Sequence, residues 1–381
     1  MIDFDNGTTQ QISVKKIKTN ANSNIQLKVI GLGGGGSNAV DKMLQEMRKL
    51  RDKQRDARTD EESKKYNWLD NIELIVANTD EQALDNSEVE QKIQLGPKCA
   101  EGLGAGSDPM LGEEAAEESQ EDIAQAIDGA RLLFIAACMG GGTGTGSAPV
   151  VARIAREARE KKINTLAVVS KPFESEGEQR MEQAEAGIRK LREEVDCLVV
   201  IPNENVKRLA GEGMLARQAY QLVDQTLSDA VLNIAALVYQ TGYINADLRD
   251  LLNAMKFNGI AMVGYGEGSG KNRAQEAIDN ALSSPLLENI ELSTAKSILF
   301  GIWASDLKHD EENLIISTVN KLAKSSDVKR KHGLYDDPTM EDRLRVFLFA
   351  TGLDQEQSHY VSPSDEPNKP NHKAWDIPDF A

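Results

Sequence analysis

The sequence predicts an α/β fold: a parallel-sheet domain with helices on both faces, a long connecting helix, and a smaller mixed α/β C-terminal domain. Three observations carry this. Short apolar runs alternate with helical patterns over the first two hundred or so residues. Glycine clusters follow several of the runs and open helices. After residue 202 the rhythm changes to one long helical stretch and then to a second region of short strands.

Residues 1–25 are polar, without a sustained period, and read as a mobile arm. Ile25 to Ile30 alternates in character and runs into glycines, as a buried strand entering a loop does. Val40, Met43, Leu44 and Met47 then keep helical spacing. Further strands are expected at Ile72 to Ala77, Leu132 to Ala137, Thr165 to Val169 and Cys197 to Ile201. Met181, Ala184, Ile188, Leu191 and Val195 mark one of the helices between them. Residues 26–213 are thus expected to form one domain, and 214–244 a connecting helix with few breakers. Residues 245–353 are the smaller domain, with its clearest strands at Ile260 to Gly264 and Leu344 to Ala350. Residues 354–371, rich in Ser, Pro, Asn and Asp, read as a flexible linker. Residues 372–381 turn apolar and aromatic again, as a peptide offered to a partner would.

Composition bounds the function. The chain of 381 residues carries 44 basic and 61 acidic side chains, a net charge of −17, which argues against binding nucleic acid. No apolar run approaches the roughly 20 residues of a membrane helix, so direct membrane insertion is not expected. The N-terminus lacks a basic segment followed by an apolar one, and the three cysteines, Cys99, Cys138 and Cys197, lie far apart. Both features point to the cytoplasm and away from a zinc site.

The placement of glycine is the chemical signal. Gly31-Leu-Gly33-Gly-Gly-Gly36 follows the first strand and opens a helix, a Rossmann-like context in which backbone N–H groups and the helix dipole can hold phosphate. Gly140 to Gly146 holds five glycines in seven residues, with Thr143 and Thr145 adding hydroxyls, and Pro149 is expected in the first turn of the helix that follows. Gly102-Leu-Gly-Ala-Gly106 precedes a helix near Pro109. Three such loops could surround a polyphosphate. Gly264 to Asn272 looks like a P-loop but fails its pattern twice, and reads as a structural loop.

Gly140 to Gly146 resembles the GGGTGTG signature of the tubulin/FtsZ superfamily. Gly31 to Asn38, Asn78-Thr79-Asp80, Gly102 to Gly106, Pro172 to Gly177 and Ile201-Pro-Asn203 resemble the other FtsZ nucleotide loops, in the family's order. Asn245-Ala-Asp247-Leu-Arg-Asp250 is similar to the family's synergy loop. Residues 275–288, with Ala-Leu-Ser-Ser-Pro-Leu-Leu, and the tail Asp376 to Phe380 match family patterns as well. The resemblance implies a GTPase that assembles with itself head to tail, uses GTP/GDP with Mg2+, and organises the division ring on the inner face of the cytoplasmic membrane.

By that similarity Gly34, Gly35 and Asn38 would touch the nucleotide, and Ala105 and Gly106 would face its terminal phosphate. Gly142, Thr143, Gly144 and Thr145 would wrap the phosphates. Glu176 and Arg180 would meet ribose and phosphate, while Asn203, Tyr220 and Asp224 would hold the base. Read alone, Asp224 is a solvated helix charge, Tyr220 a core residue and Cys138 a packed small residue. Asp247 and Asp250, with Asn245, would act catalytically in the site of the next subunit; by themselves Asn245 or Asp247 and their neighbours read as a helix cap. Residues 375–380 would bind membrane-anchoring division adaptors.

The chain also departs from the family. Residues 48–67 are an insertion with eight basic and five acidic side chains, expected to extend the first helix and to project toward neighbouring filaments. The linker is short, the tail lacks terminal arginines, and Arg249 stands where the family has a small residue. Two other readings remain at this stage. One is a weakly hydrolysing structural polymer of the same fold. The other is an NAD-dependent oxidoreductase built on Gly31 to Gly36, which leaves the second glycine loop unexplained.

Overall fold

A computed structural model describes residues 27–353 except 57–58, 60–62, 64, 159–162, 211–212, 258–259, 285–293 and 323–326. The expected arm at 1–25, the linker at 354–371, the tail at 372–381 and part of the insertion therefore lie outside the described residues.

Six strands make the first half of the sheet: β1 Leu27–Leu32, β2 Ile72–Asn78, β3 Gln91–Gln94, β4 Leu132–Cys138, β5 Asn164–Lys171 and β6 Cys197–Pro202. All their pairings are parallel, in the order β3-β2-β1-β4-β5-β6. The period of two is plain in the packing. Leu132, Phe134 and Ala136 join the core on one face, and Leu133, Ile135 and Ala137 the core on the other. The first core takes in α1 (Gly33–Arg55) and α8 (Ala216–Tyr239). The second takes in α3 (Pro109–Glu118), α4 (Gln120–Ile127), α5 (Thr143–Arg156) and α6 (Glu178–Glu194). Two shorter helices, α2 (Glu81–Asn86) and α7 (Asn203–Ala210), follow β2 and β6.

The short β3 has only Ile93 buried, which is too little apolar signal to stand out in the sequence. Pro149 lies inside α5, not in its first turn, because Gly142 caps the helix and Thr143 to Gly146 already coil. The second half of the glycine loop is itself the first helical turn.

The second half continues the same sheet as β7 (Ile260–Ser269), β10 (Arg343–Thr351), β8 (Ser297–Ala304) and, at the edge, β9 (Lys329–Asp336). β7 pairs in parallel with β6 at Leu198–Ile260 and Val199–Ala261; β10 is antiparallel to both its neighbours. Helices α9 (Leu248–Met255), α10 (Arg273–Leu282) and α11 (His309–Leu322) complete it. The stretch expected as a loop from Gly264 is strand as far as Ser269, and only Gly270–Asn272 turns. Gly266 and Gly268 serve close packing: a Cβ on Gly266 would come within 2.3 Å of the Ala281 nitrogen, and one on Gly268 within 2.2 Å of the Arg273 carbonyl.

Candidate functional site

Strand order reverses between β1 and β4, where an open parallel sheet forms a crevice at the ends of its strands. The first and second glycine loops leave those two strands and run straight into α1 and α5. Neither helix has a side-chain cap at its N-terminus, so backbone N–H groups face outward there.

The three glycine loops converge. Gly33, at φ +69°, lies so close to the second loop that a Cβ would meet the Gly144 nitrogen at 2.9 Å. A Cβ on Gly142 would meet Ala105 Cβ at 2.8 Å and the Asp108 nitrogen at 2.9 Å, so the third loop is pressed on the second. Gly34, Gly106 and Gly141 have nothing within 4 Å of an added Cβ and border open space. That pattern, tight outside and open inside, fits an anion cradle. Gly35 rests against Cys138, whose thiol is pushed up to about 12 by burial and stays protonated.

The threonines have structural partners. Thr143 Oγ1 is 2.6 Å from Thr79 Oγ1, and both residues are buried. Thr145 Oγ1 accepts the Gly140 N–H at 2.8 Å, bracing the loop. Asp108 caps α3 by accepting the Met110 N–H at 2.8 Å, with Pro109 next to it, which orients the third loop. Thr79 and Asp108 were absent from the expected contact set. The Asp-Pro helix start was legible; the Thr79–Thr143 pair joins residues 64 apart and was not.

The residues expected to hold the base lie after β5, after β6 and on α8. Tyr220 and Asp224 are one helical turn apart on α8. Phe173 packs edge-on against Tyr220, with centroids 5.3 Å apart and planes at 86°. Tyr220 is nonetheless 48% exposed as a residue, which leaves a surface for stacking. Glu176 Oε1 accepts the Phe173 N–H at 2.8 Å, and its other oxygen pairs with Arg180 Nη1 at 2.9 Å. Asn203 is buried at the start of α7, and its Oδ1 has no hydrogen-bond partner among the described residues. Burial pushes the Asp224 carboxyl up from 3.8 to about 7, against the opposing pull of the Asn38 amide and the Lys42 ammonium. Asn38 and Asp224, 186 positions apart in sequence, therefore face each other across α1 and α8. An unpartnered amide oxygen, a desolvated carboxylate and an open ring fit a planar base with N–H donors on one edge.

The acidic pair is elsewhere. Asp247 Oδ1 accepts the Asp250 N–H at 2.9 Å, and Asp250 Oδ2 accepts the Asp247 N–H at 3.1 Å, a reciprocal cap on α9. Asn245 Oδ1 accepts the Gly242 N–H at 2.7 Å and closes the loop. This segment precedes β7, whose first residues pair with those of β6, so it sits where the parallel strands begin. The glycine loops sit where they end. From Asp224 to its end at Tyr239, α8 runs 15 residues, about 22 Å at 1.5 Å per residue, and leads away from the glycine loops toward the acidic pair.

Residues 26–211 match the family description "Tubulin/FtsZ family, GTPase domain", and 259–354 match "FtsZ family, C-terminal domain". The chain is 42% identical over 337 residues to the cell division protein FtsZ of Buchnera aphidicola subsp. Acyrthosiphon pisum, covering 88% of this chain and 81% of that one. It is 39% identical to that of Coxiella burnetii, covering 91% and 83%. Among solved structures it resembles an empty FtsZ dimer from M. jannaschii, with a TM-score of 0.75 at 32% identity over 90% of this chain and 95% of that one. A GTPγS-bound protofilament of CetZ2 from Haloferax volcanii shares the fold, with a TM-score of 0.69 at 19% identity over 87% and 95%.

Proposed function

The chain belongs to the FtsZ family of tubulin-like cell-division GTPases, and from that premise we propose a division of labour between its two edges. The strand-end edge binds guanine nucleotide. The strand-start edge supplies Asp247 and Asp250 to the nucleotide of the next subunit. The observation that carries this reading is the separation of the acidic pair from the converged glycine loops.

At the base end, ionised Asp224 accepts the N1–H and the exocyclic amino group of guanine, and Asn203 Oδ1 takes a further donor. Adenine has no N1–H and would leave the desolvated carboxylate unpaired. Tyr220 stacks. Glu176 accepts from ribose hydroxyls, and Arg180 turns toward the phosphates. Gly34, Gly35, Gly106 and Gly142 to Thr145 offer N–H groups to the phosphates. Mg2+ carried by the phosphates and water would neutralise developing charge when bound. Asp250 and Asp247 then orient the attacking water from across the interface, and hydrolysis rises with assembly.

Exposed apolar residues occur at both edges, Leu103 and Met110 beside the third loop, Tyr243 and Ile244 beside the acidic pair. Such residues suit a contact between copies. No helix among the described residues is long and apolar enough to cross a membrane. We therefore assign attachment at the division site to adaptors that grip residues 375–380.

The family match leaves the oxidoreductase reading without support. Identifying the nucleotide released from purified chain tests the choice directly: GDP or GTP is expected, and NAD would overturn it. Phosphate release that climbs above a threshold protein concentration is expected as well. Release proportional to concentration from the lowest dilution would contradict the shared site, and negligible release above the threshold would favour the weakly hydrolysing polymer.

A further inference from the structure

We propose that Lys331, on the edge strand β9, is a positioning residue for hydrolysis across the interface: its ammonium steadies Asp250 and offsets the negative charge gathered when that carboxylate meets the terminal phosphate of the next subunit. The inference rests on the role given above to Asp250.

Lys331 Nζ is 3.9 Å from Asp250 Oδ2, with the two side chains 46% and 31% exposed. That spacing is held by backbone. The Leu334 N–H donates to the Ile244 carbonyl and the Tyr243 N–H to the Leu334 carbonyl, both at 2.8 Å, in an isolated antiparallel bridge. The bridge locks β9 against the loop three residues beyond Lys331, so strand register aims the lysine at the first turn of α9. The carboxylate is held by the Asp247 N–H on Oδ2, the lysine ammonium stands 3.9 Å from that same oxygen, and no side chain or N–H among the described residues is bonded to Oδ1.

Lys331 ends an exposed cationic run, Lys329-Arg330-Lys331, in a chain of net charge −17. Its neighbours have other employment. Lys329 Nζ stands 5.3 Å over the Phe257 ring, and Arg330 donates to Asn320 Oδ1 at 3.3 Å. A cation is needed where Lys331 stands. Two carboxylates approaching a triphosphate repel it, and an ammonium 3.9 Å from Asp250 Oδ2 reduces that repulsion.

The test compares Lys331→Gln, Lys331→Arg and, as a control on the same strand, Lys329→Gln, with circular dichroism to check that each exposed substitution leaves the fold intact. GTP affinity is measured by titration below the assembly threshold, and turnover per assembled subunit above it. Lys331→Gln should leave affinity and apparent KM unchanged and lower kcat roughly tenfold, the effect of one charge-assisted contact in the transition state. Lys331→Arg should restore most of it, and Lys329→Gln should behave as the unaltered chain. Turnover of Lys331→Gln within twofold of the unaltered chain, an equal loss in Lys329→Gln, or a loss explained wholly by a higher assembly threshold would each overturn the proposal. Asp250→Asn run in parallel separates the two claims. If it loses turnover while Lys331→Gln keeps it, only the lysine's role falls; if it keeps turnover, the carboxylate's role falls and the lysine's with it.

Discussion

Asp224 joins specificity to pH. Its carboxyl titrates near 7 in the folded chain against 3.8 for an ordinary aspartate, because α1 and α8 desolvate it. Folding therefore takes up a proton between those two values, and the nucleotide-free chain loses stability as pH rises through them. Guanine needs the ionised form, so nucleotide affinity moves the opposite way. It should fall by up to about tenfold for each pH unit below 7 and level off above it. Isothermal titration with GDP from pH 6 to 8 checks this; a flat profile would remove Asp224 from the base site. Asp224→Ala should weaken GTP by about 2 kcal/mol and flatten the profile, while ATP binds weakly to both proteins.

Asp247 and Asp250 need a gentler substitution than alanine. Each accepts the other's backbone N–H, so Asp250→Ala would also cost about 1 kcal/mol of helix capping. Asp250→Asn keeps an acceptor and removes the charge. It should bind GTP normally and hydrolyse it far more slowly. Mixed with Gly34→Trp, whose side chain would fill the open cradle, it should regain turnover, because mixed interfaces in one polarity hold both intact halves. Absence of recovery in filaments containing both variants would contradict a shared site.

Among the elements, α1 shows how an insertion is absorbed. The helix runs on to Arg55, as the spacing of Val40, Met43, Leu44, Met47 and Leu50 suggests. Its cations are largely met within the chain. Arg48 pairs with Glu88, Arg51 with Asp70 at 3.7 Å, Arg55 with Asp52 at 3.2 Å, and Lys65 reaches Asp336 at the end of β9. Less positive charge is left for a neighbouring filament than composition implies. The half-buried Lys65–Asp336 pair also ties the insertion to the second half of the sheet. Replacing residues 50–66 with a short Gly/Ser connector should then keep GTP turnover but lower stability by about 1 kcal/mol, roughly 1 °C in Tm. Differential scanning calorimetry measures that loss. Light scattering at low and high salt measures bundling, and bundling that falls only in the variant at low salt would favour a lateral role.

α8 joins the two halves through its C-terminal end. The Tyr335 hydroxyl donates to the Leu237 carbonyl, Trp303 Nε1 donates to Gln240 Oε1 at 2.8 Å, and the two rings stack 4.6 Å apart. Trp303→Ala should cost about 3–5 kcal/mol, through the cavity it leaves and the lost stacking. Thermal unfolding would measure it.

For the whole molecule, the proposed division of labour carries a polarity. A chain that held its nucleotide at one edge and its acidic pair at the other would complete the site only by stacking in one direction, as a polar filament. Removing residues 372–381 should leave assembly and GTP turnover intact while filaments lose their adaptors, with Ile377, Pro378 and Phe380 as the apolar anchors. Co-sedimentation and localisation of the truncated chain test this, and retained localisation would mean the tail is not the tether.

What the sequence determined by itself was whatever is written in local spacing. Alternation marked β1, short apolar runs marked β4 and β5, a long helical stretch with few breakers marked α8, and clustered glycines marked the turns where backbone must approach a ligand. Residue order alone also carried the family resemblance. Tertiary structure decided what depends on distant partners. It buried the polar Thr79 against Thr143, turned Gly266 and Gly268 from loop residues into a packing surface for α10, and drew Asn38 toward Asp224. It also placed Lys331 beside Asp250, 81 positions away. The physical reason is range. Backbone conformation and period are set by neighbours a few residues apart, whereas desolvation and charge pairing depend on which surfaces the folded sheet brings into contact.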